Sequence, residues 1–323
     1  MADIKISLGC MNFLDRTQPV LDGTVSIPGI ELAPTVLRPP DLFPSLGRFD
    51  VQELSTAGYV TLRAHGDDRY IGLPIFTWKS WLIGNIVVNG KSGIETPADL
   101  AGKRVGTPGL YLAGTMWIRG YLRDRFGLTG AEMKWLTVDA PAGSLRKHLM
   151  GLVTATPFEV LPADHSLSDM LDNGEIDAWL APALPECFLR GSPNVRRLFP
   201  NYRELEKREA RNTRNLPLLH NLLLSRAVHE RHPWIAQALI EAFARARQIG
   251  KTRLDNDGAY AVGLPWIRHD LEALPKLFNA DWYACSFAAN QDMLGTLARY
   301  AVEQGFTPST IDPAAYFVSE GTS

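Results

Sequence analysis

Two titratable side chains stand where the sequence can support acid–base chemistry. His220 lies in the apolar run of residues 218–224, which predicts a buried strand, and histidine exchanges a proton near neutral pH. Glu53 stands at the end of another apolar run, directly before a helix start at Ser55, where open α/β sheets bind ligands. Each has an ordinary alternative: a hydrogen-bonded core histidine, and a carboxylate that caps a helix or pairs with a buried arginine.

Polar residues near the same points are candidates for holding an anion. Arg16 follows the first predicted strand, and a guanidinium grips a carboxylate through two parallel hydrogen bonds. Asp15 beside it is expected to orient that group, and Asn12 lies in the same loop. Ser55 and Thr56 fit a helix N-terminus, where they either cap the helix or offer hydroxyl and N–H groups to a carboxylate.

Aromatic residues accompany a cation further along the chain. Trp78, Lys79, Trp81 and Tyr111 together suit stacking on a ring and binding of its negative charge. Trp81 taken alone fits the core equally well. A predicted helix over residues 114–126 adds Thr115 and Arg119 as ligand contacts, although Arg119 lies four residues before another arginine, a spacing that also fits a solvated helix face.

The elements that must position these residues alternate between strand and helix, which predicts an α/β fold with largely parallel sheets. Capping boxes at residues 96–99 and 166–169 mark two helix starts. The predicted strands are 4–8, 49–54, 82–88, 103–106, 176–180 and 218–224. The predicted helices include 55–65, 114–126, one from residue 233 and 292–304. Strands 82–88 and 218–224 are the candidates for crossings between two lobes.

Composition limits the class of protein. The 323 residues fit two α/β lobes, and 33 basic against 35 acidic side chains leave a net charge of −2, which disfavours nucleic acid as a partner. Three cysteines give no disulfide framework and favour a reducing compartment. No apolar run reaches the roughly 18 residues of a membrane span. No secretory signal is visible, so with Met1 as the native start we expect a cytoplasmic protein.

Several site types leave no trace in the sequence. His229, Glu230 and His232 crowd together at a helix start, but their spacing does not bring three metal ligands together. No Walker loop, dinucleotide fingerprint or GxSxG elbow is present. We therefore expect no metal and no cofactor.

Six separated blocks of the chain resemble the 4,5-dihydroxyphthalate decarboxylase family in order and spacing. They are FDVQELS at 49–55, TPADLAGKRVG at 96–106, WIRG at 117–120, LSDML at 167–171, EIDA at 175–178 and FLRGSPNVRRLFP at 188–200. The resemblance runs from about residue 21 to about residue 305 and implies a two-lobe type II periplasmic-binding-protein-like fold. Lobe 1 would comprise residues 1–88 together with 226–323, and lobe 2 residues 89–225, with a ligand cleft between them.

The resemblance also implies a function. It predicts a cofactor-independent lyase, a decarboxylase of a hydroxylated aromatic or related cyclic carboxylic acid. His220 would protonate the ring carbon and Glu53 would draw on the ring hydroxyl, while Arg16, Lys79 and the helix end at Ser55 hold the carboxylate. A binding protein of the same fold without catalysis and a dehydratase-type lyase stay open as alternatives. The expected partner is a small molecule, with neither nucleic acid nor membrane, and a homo-oligomer is left open.

The chain departs from the family pattern at several anchors. Asp15, Arg16, Glu53, Ser55, Arg119 and His220 match the pattern, and Lys79 replaces an arginine. Leu82 and Ile83 stand where the family has an arginine and a histidine, Gly109 where it has a glutamate, and Ala183 where it has an arginine. We therefore expect a substrate with fewer negative charges than 4,5-dihydroxyphthalate.

Overall fold

Two six-stranded sheets flanked by helices make up the computed structural model of the chain, which describes residues 3–153, 156–261, 263–278 and 281–318. The strands of the first sheet are β1 Ile4–Cys10, β2 Ile30–Val36, β3 Val51–Ser55, β4 Tyr70–Gly72, β5 Trp78–Lys79 and β12 Leu218–Ser225. Those of the second sheet are β6 Ile86–Asn89, β7 Arg104–Gly106, β8 Lys134–Val138, β9 Phe158–Leu161, β10 Ala178–Leu180 and β11 Val195–Arg197.

The helices connect these strands and cover the sheets. They are α1 Gln18–Leu21, α2 Pro39–Leu42, α3 Thr56–Ala64, α4 Ala113–Phe126, α5 Leu145–Leu152, α6 Leu167–Asn173, α7 Glu186–Leu189, α8 Tyr202–Thr213, α9 Arg226–Arg231, α10 Trp234–Ala261, α11 Ile267–Leu277 and α12 Gln291–Glu303. Short 3-10 helices span Ile83–Asn85, Pro97–Leu100, Gly130–Glu132, Ala288–Asn290 and Pro313–Ala315. Within the described ranges no helix is long and apolar enough to cross a membrane.

Both sheets are mixed rather than largely parallel. The first has the order β2-β1-β3-β12-β4, with β5 also paired to β12. Its strands β1, β2 and β3 run parallel, whereas β12 is antiparallel to β3, β4 and β5. In the second sheet, of order β11-β6-β10-β7-β8-β9, β6 is antiparallel to both of its neighbours. Strand β12 in the first sheet and strand β6 in the second are therefore each antiparallel to every strand with which they pair.

The strand predicted over residues 82–88 starts later in the structure, so its predicted start is wrong. Residues 83–85 form a 3-10 turn, and β6 begins only at Ile86. The backbone of Gly84 lies against the ring of Tyr202, where a Cβ would overlap the ring, and its N–H donates to Glu206 Oε1 at 3.1 Å. These contacts with α8 hold the turn, and an alternating sequence pattern cannot reveal them.

Sheet pairing also revises the expected lobe boundary. β12 lies within the first sheet, although the sequence-based division at residue 225 put it in lobe 2. β6, mostly assigned to lobe 1, belongs to the second sheet. The division into lobes remains a proposal, with the sheets placing residues 86–197 in one unit and the strands before and after that range in the other.

Capping signals in the sequence are confirmed at several helix ends. The box at Thr96 and Asp99 is present, as is the Ser166 cap on α6. Gly127 and Gly174 end α4 and α6 in the left-handed region, at φ 71° and 78°, which glycine adopts without strain. These two glycines fix the residues at which α4 and α6 end.

Two apolar clusters hold the site in place. One packs α10 against the first sheet and includes the fully buried Leu8, Leu224 and Leu239. A larger one contains Leu54 of the first sheet and Val105 of the second, and so extends between the two units. The carboxyl ends of β1 and β3 thus rest on a packed base, with burial of each large side chain contributing about 1.5–3 kcal/mol.

Candidate functional site

Register within the first sheet brings Glu53 and His220 together. In the antiparallel pair of β3 and β12, His220 lies opposite Ser55 and Leu222 lies opposite Glu53. Residues two apart on a strand point to the same face, so Glu53 and His220 are diagonal neighbours on one face. His220 Nδ1 and Glu53 Oε1 are 2.9 Å apart, which is a hydrogen bond.

The Glu53–His220 pair is enclosed on most sides. The Glu53 side chain is fully buried and that of His220 keeps 12% exposure. Glu53 Oε2 accepts the backbone N–H of Met11 at 2.8 Å, so both of its oxygens are engaged. The Trp78 ring packs edge-on against His220, with centroids 5.0 Å apart. Because an ionised carboxylate only accepts hydrogen bonds, Nδ1 carries the hydrogen, and Nε2 is left without a partner among the described residues.

Arg16 is held rigidly by four groups. Its guanidinium lies between the rings of Phe13 and Tyr283, at 3.9 and 4.0 Å from their centroids. Nε donates to the carbonyl of Thr77 at 2.5 Å, and Nη1 pairs with Asp15 Oδ1. Nη2 makes no hydrogen bond within the described part of the chain, which leaves one donor for a ligand.

The loop after β1 ties Arg16 to the Glu53–His220 pair. Met11 binds Glu53 through its N–H, and its carbonyl accepts the hydroxyl of Thr17 at 2.7 Å. Arg16 also donates to the carbonyl of Thr77, and the next residue, Trp78, packs against His220. Asn12, predicted as a polar contact, lies exposed in this loop. The loop after β1 and strand β5 therefore connect Arg16 to both members of the pair.

Hydroxyl groups lie where α3 and α4 begin. Ser55 Oγ accepts the N–H of Ala113, the first residue of α4, at 3.1 Å. Thr115, also predicted from the sequence, is buried and lies 3.3 Å from Thr107 between their hydroxyl oxygens. Thr56 is buried, and its hydroxyl has no hydrogen-bond partner in the described part of the chain. Two helix N-termini, which favour negative charge, thus meet beside β3.

Lys79 is not available to a ligand in the way the sequence suggested. Its ammonium donates to Asn215 Oδ1, to the carbonyl of Trp282 and, at 2.8 Å, to Asn290 Oδ1. Three acceptors use all three of its hydrogens, and burial lowers the pKa of Lys79 to about 7. The residue instead joins β5 to the segments before β12 and before α12.

Trp81 and Tyr111 lie within packed surroundings away from the Glu53–His220 pair. Trp81 packs edge-on against Tyr121, with centroids 6.4 Å apart, in agreement with the core alternative. Tyr111 packs against Phe43 and its hydroxyl accepts from Arg146 Nε at 2.8 Å. The aromatic group predicted around Lys79 is therefore divided, and only Trp78 contacts the pair.

Arg119 neither lies at the Glu53–His220 pair nor belongs to a solvated helix face. Its side chain is buried, pairs with Thr156 Oγ1 and lies over the ring of Trp135 at 5.5 Å. Burial lowers the pKa of Arg119 to about 10. Arg123, on the same helix, pairs with Glu303. The i to i+4 spacing did not separate these two environments because one turn of α4 is covered by the second sheet.

The positions that lack family charges are apolar in the structure. Leu82 and Ile83 are buried and line a small apolar cavity against α4. The backbone of Gly109 lies against the Tyr111 ring, so a Cβ at that position would overlap the ring. Ala183 lies exposed, and its carbonyl accepts from Trp179 Nε1. The four side chains carry no charge themselves, and the nearby Arg146 is already bound to the Pro108 carbonyl and the Tyr111 hydroxyl.

Several residues of the site were missed by the sequence analysis. The backbone N–H of Met11 and the ring of Tyr283 carry no sequence signal for their roles. Arg247 was detectable in principle: it falls four residues after the buried Phe243, on the apolar stripe of α10. It pairs with Asp15 Oδ2 at 2.5 Å, so a buried arginine stands directly behind the Arg16 loop.

The larger cavities lie elsewhere. One of about 520 Å³ lies along α12, and one of about 510 Å³ lies beside β7. Neither is lined by Glu53 or His220. Both are open to the surface; Arg299 of the first pairs with Asp124, and Arg104 of the second pairs with Asp177. Ser55, which lies opposite His220 in the pair of β3 and β12, is bound to the first residue of α4. Across the described residues, no group of three or more acidic, histidine or cysteine side chains is arranged to hold a metal ion.

Comparison with known proteins agrees with this architecture. No model of a known protein family matches the chain. The alkanesulfonate-binding protein SsuA of Xanthomonas axonopodis pv. citri superposes with a TM-score of 0.56 at 16% identity, over 99% of both chains. At that identity the likeness shows the fold alone, which is the two-lobe α/β fold of periplasmic binding proteins.

Curated relatives extend the comparison to sequence. A 4,5-dihydroxyphthalate decarboxylase of Comamonas testosteroni is 29% identical over 322 residues, covering 98% of this chain and 97% of that protein. A 4,5-dihydroxyphthalate decarboxylase of Pseudomonas putida is 32% identical over 203 residues, covering 62% of this chain and 78% of that protein. The chain therefore belongs to the 4,5-dihydroxyphthalate decarboxylase family, a family of carboxy-lyases.

Proposed function

We propose that this carboxy-lyase decarboxylates a hydroxylated aromatic or related cyclic carboxylic acid, without a cofactor, at the surface formed by Glu53, His220 and Arg16. The observation that carries the proposal is the 2.9 Å hydrogen bond between a buried carboxylate and His220 Nδ1, which leaves Nε2 without a partner among the described residues. A histidine oriented by a carboxylate is suited to transfer a proton at Nε2.

The chemical step needs a proton and a release of electrons. His220 Nε2–H donates its proton to the ring carbon that carries the carboxylate, while a ring hydroxyl supplies electron density. The bond to the carboxylate carbon then breaks, its electron pair restores the ring, and carbon dioxide leaves. His220 regains a proton from solvent, so the net reaction consumes one proton for each carbon dioxide released. Exclusion of water around the carboxylate favours this loss.

Glu53 has a different role from the one expected from the sequence. The Glu53 side chain is fully buried and accepts from His220 and from the N–H of Met11, so a ring hydroxyl does not reach it in this arrangement. We assign Glu53 the orientation of the imidazole and the stabilisation of its positive charge. Arg16 Nη2 and the helix N-terminus at Thr56 then hold the substrate carboxylate, and Lys79 has no part in this contact.

The substrate is proposed to be less anionic than 4,5-dihydroxyphthalate. Leu82, Ile83, Gly109 and Ala183 supply no charge for a second carboxylate, and Leu82 and Ile83 line an apolar cavity. A missing charge-assisted hydrogen bond removes about 1.5–3 kcal/mol of binding. A monocarboxylate fits the single free arginine donor better than a dicarboxylate.

Incubation with a panel of hydroxybenzoates, phthalates and cyclic carboxylates, followed by mass spectrometry, tests this proposal. We expect a product that has lost carbon dioxide, and in D₂O that product carries one deuterium at the former carboxylate position. A product that has lost water would indicate the dehydratase alternative. Tight binding of a ligand with no product would favour a binding protein, as the two SsuA sulfonate-binding proteins of the same fold are.

A further inference from the structure

A buried arginine outside the proposed substrate contacts stands behind Arg16. Arg247 lies on α10, and its side chain keeps only 5% exposure. It forms a two-pronged pair with Asp281: Nε lies 3.0 and 3.1 Å from the two oxygens, and Nη2 lies 2.9 Å from Oδ1. Its remaining nitrogen, Nη1, donates to Asp15 Oδ2 at 2.5 Å. Every side of this guanidinium is therefore committed.

Asp15 connects the two arginines. Its Oδ2 binds Arg247, and its Oδ1 binds Arg16 Nη1. The backbone of Asp15 also lies against α10 at Gly250, where a Cβ would overlap the carbonyl group of Asp15. Both the side chain and the backbone of Asp15 are thus fixed by one helix.

The two arginines bind different oxygens of Asp15, and this arrangement leaves one donor of Arg16 free. Arg247 holds Oδ2, while Arg16 binds Oδ1 through Nη1 alone, so Nη2 has no partner among the described residues. Without Arg247, Oδ2 would be released to accept a second hydrogen bond from Arg16, because carboxylates and guanidinium groups favour two parallel bonds. Arg16 would then turn its free donor toward Asp15 and away from a ligand.

From this geometry we infer that Arg247 is a positioning residue for recognition of the substrate carboxylate, acting through Asp15 on Arg16. The inference rests on the proposed function, since it assumes that Arg16 binds a carboxylate. It predicts a selective effect: loss of Arg247 weakens ligands that carry a carboxylate and leaves neutral analogues of the same shape unaffected. A merely structural role would weaken both kinds of ligand together.

Calorimetric titration with 3,4-dihydroxybenzoate and its neutral analogue 3,4-dihydroxybenzamide tests the inference on the full chain. Wild-type protein is expected to prefer the carboxylate probe. We expect Arg247→Gln to lose tenfold or more in affinity for the carboxylate and less than threefold for the amide. Arg245→Gln, an exposed arginine on the same helix, serves as the matched control and should leave both affinities unchanged.

A second variant keeps the test decisive if Arg247→Gln does not fold. Gly250→Ala removes no charge but places a methyl group against the backbone of Asp15, so it should give the same selective loss. Parallel loss of both probes, or an unchanged carboxylate preference in the folded variants, would overturn the inference and leave the proposed function standing. Wild-type protein without any carboxylate preference would instead overturn the carboxylate site itself, and the inference with it.

Discussion

At the scale of single residues, the site divides binding from proton transfer. Glu53 is fully buried and accepts from His220 and Met11, so it acts on the imidazole, whereas Arg16 keeps one donor free. Sequence reasoning placed these residues at one site, because each follows or lies on a buried strand. It could not distinguish their roles, since the direction of a carboxylate oxygen depends on the register of β3 with β12 and on a backbone N–H.

The apolar anchor positions give a prediction about charge. We expect a monohydroxylated or dihydroxylated benzoate to bind more tightly than the phthalate with the same hydroxyl pattern, because Leu82 and Ile83 cannot pair with a second carboxylate. The expected difference is tenfold or more, from about 1.5–3 kcal/mol for a charge-assisted bond. Calorimetry on both ligands at one pH measures it. Tighter binding of the phthalate would show that another cation serves the second carboxylate.

At the scale of elements, the ammonium group of Lys79 holds segments of the fold together through hydrogen bonds. Its three acceptors lie on the segment before β12 and on the residues before α12, so it joins β5 to both. Burial lowers its pKa from 10.5 to about 7. Below pH 7 both the folded and the unfolded chain hold this proton, and the folded state carries the full cost of the buried charge.

The pH dependence follows from that shift. Between pH 7 and 10.5 the unfolded chain retains the proton that folded Lys79 has released, so stability rises with pH. Relative to Lys79→Met, the free energy of unfolding of the wild type should increase from pH 7 to pH 9, by up to about 1.4 kcal/mol per pH unit. Urea unfolding at each pH measures this, with the exposed Lys276→Met as control. A difference that does not vary with pH would contradict the account.

Local signals account for much of what could be predicted at this scale. The ends of α4 and α6 followed from Gly127 and Gly174, and the apolar runs located most strands. The turn at residues 83–85 and the burial of Arg119 depend on contacts with distant elements, α8 and the second sheet. Helical spacing cannot report such contacts, because the same i to i+4 pair fits water or a covering sheet.

At the scale of the whole molecule, two hydrogen bonds join the units around the site. Ser55 Oγ accepts from Ala113, and Trp117 Nε1 donates to the carbonyl of Leu218 at 2.9 Å. Both link the first sheet to α4, which covers the second. These contacts correspond to a closed arrangement in which the Glu53–His220 pair is shielded from water. A ligand reaches it only when the units separate, since His220 keeps just 12% exposure.

Closure is therefore expected to depend on the ligand. Small-angle scattering should give a larger radius of gyration for the free protein than for the protein saturated with a non-reacting carboxylate, because hinge closure brings the units together. A substrate bound to His220→Asn allows the same measurement while turnover is slowed by roughly 10²–10⁴-fold. Equal radii in the two states would contradict a closing cleft. Cytoplasmic location and a homo-oligomeric state are further proposals at this scale.

The central claim is that His220 supplies the proton and that Glu53 orients the imidazole of His220. Single-turnover decarboxylation of the substrate identified by the panel, measured for the wild type, His220→Asn and Glu53→Gln, tests this most directly. We predict that His220→Asn lowers the rate of the chemical step by roughly 10²–10⁴-fold, that Glu53→Gln lowers it by less, and that ligand affinity stays within a few-fold in both. A His220→Asn variant that retains the full single-turnover rate would contradict the account.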